Sequence, residues 1–355
     1  MKHPGPGAPG EPYTRSVGTH IDTELVRIDP VHPDAGLIAR AADYIRRGLL
    51  VAFPTETVYG LGADALSEAA VDRIFVAKGR DPSDPLIVHI GDLAGIERVA
   101  IDVPEAARGL VEAFWPGALT LVLERAEGVA PAVSAGRTTV AVRMPSHPVA
   151  RQLIEAAGVP VAAPSANRFM RTSATTAQHV VEDLDGRVEL ILDGGPASAG
   201  IESTVIDATG PALRLLRPGA VTVEEIRRRV GVEVPVDNQP SGASPGMLAR
   251  HYAPSTRLRL VGGDEQALAG AVEEETRQGH RVGVLCTDGE AAAFDRKVVV
   301  ERLGTELEEV ARDLYAAIRR LDAAGLDVIV VRDYGEEGLG RAIHDRLRRA
   351  ATPLA

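Results

Sequence analysis

"SEAAVDRIFVAKGRDPSDPLIVHI", residues 67–90, reads in succession as a helix, a stiff corner and a strand. Val71, Ile74 and Phe75 fall on one helical face, Ser67 stands at the cap, and Gly79 is placed to close the helix. Pro82 and Pro85 then turn the chain sharply into the apolar run "LIVHI". Lys78 is accounted for by the negative end of the helix dipole. Arg80 lies past the glycine, where that account weakens. Two cations on a rigid corner suit an anion.

The same alternation continues on both sides. "DAGLIARAADYIRRG" places Leu37, Ile38, Ala41, Ala42 and Ile45 on one face between Asp34 as N-cap and Gly48, and "LLVAF" follows as a strand. "LTLVLE", "TVAVRM", "VPVAA", "ELILD" and "STVIDA" are further strands, with helices such as "SHPVARQLIEAAG" between several of them. Residues 21–230 therefore predict an α/β domain with a mostly buried sheet. Residues 231–255 carry four prolines without periodicity and predict a linker, one that acts as a lid because it bears Arg250, His251 and Tyr252. Residues 256–355 alternate strand and helix again, as in a small doubly wound (Rossmann-like) domain. The Pro- and Gly-rich residues 1–20 predict a disordered tail, with no apolar core for a signal or a membrane span.

Composition narrows the chemistry. The chain has 355 residues, 45% hydrophobic and 25% charged, which suits two globular domains. Its net charge of −11 argues against a broad phosphate-tracking surface and leaves room for a local basic pocket. One cysteine, Cys286 in "VGVLCTD", permits neither an internal disulfide nor a cysteine metal site, reads as a buried strand end, and makes the cytoplasm the expected compartment.

Polar residues gather where strands begin and end, the place where open α/β sheets hold ligands. "VAFPTETVYG" leads into Thr55, Glu56 and Thr57; "TTVAVRMPSHP" brings Thr139 and Arg143; "VAAPSANR" ends in Ser165 and Asn167; "GIESTVIDAT" presents Glu202, Ser203 and Thr204; "LRLLRPGA" offers Arg217. Each alone is also compatible with an ordinary loop or a solvated strand residue. "GLGADA" fits the weak form of the dinucleotide fingerprint, but no acidic residue follows at a strand end about 20 positions on. There is no P-loop, no G-x-S-x-G and no H-E-x-x-H.

Eight blocks in order, "FPTETVYGLGADA", "KGR" with "PLIVHI", "WPGALTLVL", "VAVRMPSHPVA", "APSAN", "ILDGG", "ESTVIDAT" and "LRPGA", resemble the YrdC-like domain of threonylcarbamoyl-AMP synthases. "SPGMLARHYAP" and the α/β segment after it resemble the long, two-domain form. The resemblance implies a YrdC-like twisted mixed sheet and adenylation of a carbamate: L-threonine, bicarbonate and ATP give L-threonylcarbamoyl-AMP and pyrophosphate. A separate transferase would carry the threonylcarbamoyl group to tRNA beside the anticodon. It makes Lys78 and Arg80 the K-x-R pair and Ser165 and Asn167 the S-x-N pair. It places ATP near Arg80, Asp84, Thr139, Ser165, Ser173, Arg217 and Tyr252, and threonine near Thr57, His89, Arg143, the backbone of Ala163, and Ser203. Magnesium is expected with the phosphates.

Such chemistry needs positioning and charge neutralisation more than a covalent nucleophile. A charge-assisted hydrogen bond contributes about 1.5 to 3 kcal/mol against the roughly 8 kcal/mol of micromolar binding, so several residues must act together. The sequence departs from the family at Asp84, usually asparagine, whose charge needs an offsetting cation, and at Met170, Ala174 and Leu248. An RNA-binding module of the same fold is the alternative. Carbamoyl-adenylate formation in hydrogenase maturation would bring C-x-x-C pairs, which one cysteine argues against.

Overall fold

The computed structural model describes residues 21–235, 250–294 and 298–351. The expected tail 1–20, most of the expected linker and Leu248 lie outside the described residues. The first sheet is built from β1 (Glu24–Arg27), β2 (Val51–Phe53), β3 (Gly60–Asp64), β4 (Ile87–His89), β5 (Leu119–Glu124), β6 (Thr139–Arg143), β7 (Val161–Ala162), β8 (Leu190–Asp193), β9 (Thr204–Asp207) and β10 (Arg214–Arg217). Its order is β1-β8-β2-β3-β7-β4-β6-β5-β9-β10, with parallel and antiparallel pairs mixed. This is the YrdC-like mixed sheet that the sequence blocks imply.

Helices cover both faces: α1 (Ala35–Arg46) and α4 (Pro148–Ala157) on one, α2 (Glu68–Lys78), α3 (Glu105–Phe114), α5 (Ala177–Leu184) and α6 (Val223–Val230) on the other. The opening stretch folds as read. Ser67 accepts the backbone N–H of Ala70, Val71, Ile74 and Phe75 are buried, and Gly79 ends α2 at φ +63°, a conformation that glycine adopts without steric cost. "GLGADA" departs from a dinucleotide turn because its glycines lie inside β3. A Cβ on Gly62 would come within 2.7 Å of the Phe53 ring, so that glycine serves sheet packing.

The second sheet is wholly parallel, ordered β11 (Arg257–Val261), β14 (Val328–Arg332), β12 (Val282–Cys286), β13 (Val299–Arg302), and is flanked by α7 (Glu265–Arg277), α8 (Leu307–Ala323) and α9 (Gly338–Ala351). Cys286 is buried at the end of β12. An apolar cluster joins Val58, Ile201 and Tyr252 to Leu314, Tyr315 and Leu347 of α8 and α9. Each fully buried leucine there is worth about 2 kcal/mol, so the two units dock firmly. Gly200, at φ +69°, lies so close to α8 that a Cβ would stand 2.2 Å from the Arg312 carbonyl oxygen. Among the described residues no helix is long and apolar enough to cross a membrane.

Candidate active site

The strand ends of the first sheet enclose one cavity. Its lining includes Thr57, His89, Arg143, Ala163, Ser165, Ser203, Arg80, Arg217 and Tyr252, nine of the residues singled out from sequence. Three arginines thus converge from the α2–β4 corner, the end of β6 and the end of β10.

Arg143 is held on three sides. Nε donates to Gly117 O (3.0 Å), Nη1 to Thr57 Oγ1 (2.8 Å) and Nη2 to Glu56 Oε1 (2.6 Å). Burial pushes the Glu56 carboxyl up, but the charge and hydrogen bond of Arg143 outweigh it and leave the group below the usual carboxylate range. Next to them His89 is 3% exposed. Burial, then the charge of Arg143, push its imidazole down to about 3 against the pull of Glu56, so the ring is neutral at working pH. Ala163 donates its N–H to Ile87 O at 2.9 Å.

Across the cavity, Arg217 donates from Nε and Nη2 to Ser203 O (3.2 and 3.0 Å) and from Nη2 to Ser203 Oγ (3.2 Å). Gly219 makes this approach possible, since a Cβ there would lie 2.4 Å from the backbone of Glu202 to Thr204. Arg80 donates to Asp84 O and Pro85 O and pairs with the Asp84 carboxylate at 2.8 Å, both side chains being buried. Arg80 therefore supplies the cation that offsets Asp84.

The remaining candidates stand behind the wall. Lys78 is 1% exposed, and its ammonium donates to Ser165 O and Asn167 O, each at 2.5 Å, which ties the corner to the S-x-N loop rather than to the cavity. Burial first, and Arg80 second, push its pKa well down. Asn167 donates to Arg168 O and Arg171 O, and Ser173 donates to Glu202 Oε1 at 2.6 Å. Thr139 pairs with Glu124 at the opposite end of β6 from Arg143, about 13 Å along the strand. Lys78, Asp84, Thr139, Asn167 and Ser173 do not line the cavity.

His251 and Tyr252 line the cavity from the expected linker. Tyr252 takes a left-handed φ of +58°, stacks on Tyr315 at 5.7 Å, and leaves its hydroxyl without a hydrogen-bond partner. Burial pushes the His251 pKa well down, and the nearby Arg80, Lys78, Arg217 and Arg346 all add to the effect. The sequence reading missed Arg346 and Tyr315, which reach Glu202 from α9 and α8 (2.8 and 2.9 Å). Among the described residues, the charged side chains that line the cavity are three arginines (Arg80, Arg143 and Arg217) and one carboxylate, Glu202. A polyanion suits that balance.

Residues 43–219 match the Sua5/YciO/YrdC family, described as telomere recombination, and residues 221–352 match the threonylcarbamoyl-AMP synthase C-terminal domain. The threonylcarbamoyl-AMP synthase of Pyrococcus abyssi is 46% identical over 321 residues, which span 88% of this chain and 93% of the relative. The chain belongs to the threonylcarbamoyl-AMP synthase family. The Bacillus subtilis threonylcarbamoyl-AMP synthase is 44% identical, over 88% of this chain and 92% of its own. The crystal structure of Pyrococcus abyssi Sua5 complexed with L-threonine superposes with a TM-score of 0.87 at 43% identity, covering 92% of this chain and 97% of that one. Both halves of the threonylcarbamoyl-AMP synthase are therefore present. The boundary between the two matches falls just before α6, yet α6 packs on the first unit, where the Arg229 guanidinium lies 4.3 Å from the Phe114 ring.

Proposed function

We propose that this chain is an L-threonylcarbamoyladenylate synthase, a nucleotidyltransferase that joins L-threonine, bicarbonate and ATP into L-threonylcarbamoyl-AMP with release of pyrophosphate. The threonine amine first bonds to the bicarbonate carbon, a C–O bond of bicarbonate breaks and water leaves, which gives the N-carboxy amino acid. A carbamate oxygen then attacks the α-phosphorus, the bond from that phosphorus to its bridging oxygen breaks, and pyrophosphate leaves with the electron pair. What supports this reading is the convergence of Arg80, Arg143 and Arg217 on one cavity that, among the described residues, is lined by no cysteine and by two histidines that burial keeps neutral, His89 and His251.

In this reading Arg143 and Thr57 receive the threonine carboxylate, neutral His89 and Ser203 contact its polar groups, and Arg80 and Arg217 take the phosphates. Lys78 shapes the Ser165 loop, and Tyr252 covers the nucleotide as part of a lid. Magnesium enters on the polyphosphate as MgATP. Among the described residues no group of three potential ligands forms a metal cage, and Asp84 and Glu202 are each engaged with an arginine. Those residues fit a cation held by phosphate oxygens and water. Cytoplasmic location and transfer of the product to a separate tRNA-modifying transferase belong to the same proposal.

The test is pyrophosphate release from ATP, expected to require both L-threonine and bicarbonate. Release that ignores threonine rejects the proposal. Steeply salt-dependent tRNA binding without any release points to the RNA-binding alternative instead.

A further inference from the structure

Among the described residues Glu202 is the one acidic side chain lining the cavity. A fixed negative charge there opposes a polyphosphate, and the strength of that opposition grows as water is excluded. The fold answers it from outside the cavity. Oε1 accepts from Ser173, whereas Oε2 accepts from Tyr315 Oη at 2.9 Å and from Arg346 Nε at 2.8 Å. Both donors to Oε2 belong to the second domain, and neither lines the cavity.

Arg346 is built into this place. It is 1% exposed, its Nη1 is held by Asp345 at 2.8 Å, and its guanidinium lies 5.2 Å from the Tyr252 ring. Nη2 is buried without a hydrogen-bond partner, so the guanidinium is oriented by Glu202 and Asp345. Arg217 and Tyr252 also face Glu202 from the cavity side. If the Arg346–Glu202 contact fails, the carboxylate loses its ion-pair partner from behind and its charge faces the polyphosphate.

We propose that Arg346 is a positioning residue for the nucleotide: by neutralising Glu202 from behind, it keeps that carboxylate from opposing the polyphosphate, and through it the second domain sets the affinity for ATP. The inference rests on the reading of this cavity as the ATP and threonine site. It gives the second domain a role without any contact to substrate.

The experiment uses the full chain and measures binding of L-threonine and of an ATP analogue with a methylene bridge between the α- and β-phosphorus atoms. Arg346→Met is expected to weaken the analogue at least about tenfold while threonine affinity stays within about twofold. The double variant Glu202→Gln/Arg346→Met removes both charges and is expected to recover analogue binding to within about threefold of wild type. The ratio of Arg346→Met to wild-type affinity constants is expected to narrow from pH 8 to pH 5.5, as the uncovered Glu202 takes up a proton. Unchanged analogue binding in Arg346→Met, equal loss of both ligands, or no recovery in the double variant overturns the inference. Should Arg346→Met fail to fold, Tyr315→Phe carries the test. It is expected to weaken the analogue about threefold, and no change overturns the idea. A wild-type chain that binds no analogue at all overturns the ATP reading together with the inference, a result distinct from a wild type that binds and a variant that binds equally.

Discussion

The two α/β units bury charge to different ends. In the second, Glu275 is 2% exposed and accepts from Arg257 and Arg259, with His280 also at hydrogen-bond distance, while Glu290, 1% exposed, accepts from Thr287 and Arg332. Both carboxylates are satisfied within their own domain, although Tyr334 Oη beside Arg332 lacks a hydrogen-bond partner. In the first, Arg143 and Arg217 are as deeply buried, yet their cavity has Tyr252 Oη and His251 Nδ1 without hydrogen-bond partners, and Glu56 Oε2 beside it. Buried charge by itself marks structure; buried charge next to unsatisfied polar atoms and an opening marks a site.

The largest effect that sharpens this contrast comes from Arg143→Met set against Arg332→Met. Arg143→Met strands Glu56 and is expected to cost about 3 to 5 kcal/mol in urea unfolding, along with threonine-dependent pyrophosphate release. Arg332→Met strands Glu290 behind a more solvated partner, costs about 2 to 3 kcal/mol, and leaves turnover per folded molecule unchanged. Equal catalytic damage in the two would break the contrast. Next comes Gly200→Ala, which drives a methyl group into the α8 backbone and forces a left-handed alanine. A loss of about 2 to 3 kcal/mol, with faster proteolysis of the second unit, is expected.

A third test separates neutral from charged burial by pH. His89 titrates at about 3 when folded and near its ordinary 6.5 when unfolded. The unfolded chain therefore binds more protons below pH 6.5, and this contribution, present in full above that value, is lost as pH falls toward 3. Between pH 6.5 and 5, before the carboxylates begin to titrate, the loss attributable to His89 is about 2 kcal/mol, and His89→Gln is expected to flatten the stability curve by that amount. An unchanged slope would place a charged imidazole in the cavity. The smallest effect is Met170→Gly. Met170 sits at φ +66° with its carbonyl accepting from Ala253 N at 2.9 Å. Relief of that strain is expected to raise stability by about 0.5 to 1 kcal/mol, read as a higher midpoint in urea.

Much of the first unit was legible because its signals are local. Ser67, Gly79 and the apolar spacing between them define α2, and runs such as "LTLVLE" become β5 over the same residues. Arg143 and Arg217 end strands, Ser165 follows one, and Arg80 stands in the corner between α2 and β4; all four line the same cavity. The direction of the corner's lysine was not legible for an equally local reason: nothing in "AKGR" tells that Lys78 turns inward to two carbonyls. Arg346 was illegible altogether. "GLGRAIHDRLRRAA" reads as a solvated amphipathic helix, and only its docking against a distant domain buries the arginine. Burial created by long-range packing leaves no periodic trace.

The tie between Lys78 and those two carbonyls has a practical side. The sequence holds three lysines, at 2, 78 and 297, and the middle one is sealed inside the fold. Amine-directed chemistry, whether acetylation or affinity labelling with a reactive nucleotide, will pass over the native core and strike it once the chain opens. In this enzyme a modified Lys78 is thus a tag of molecules that have come undone.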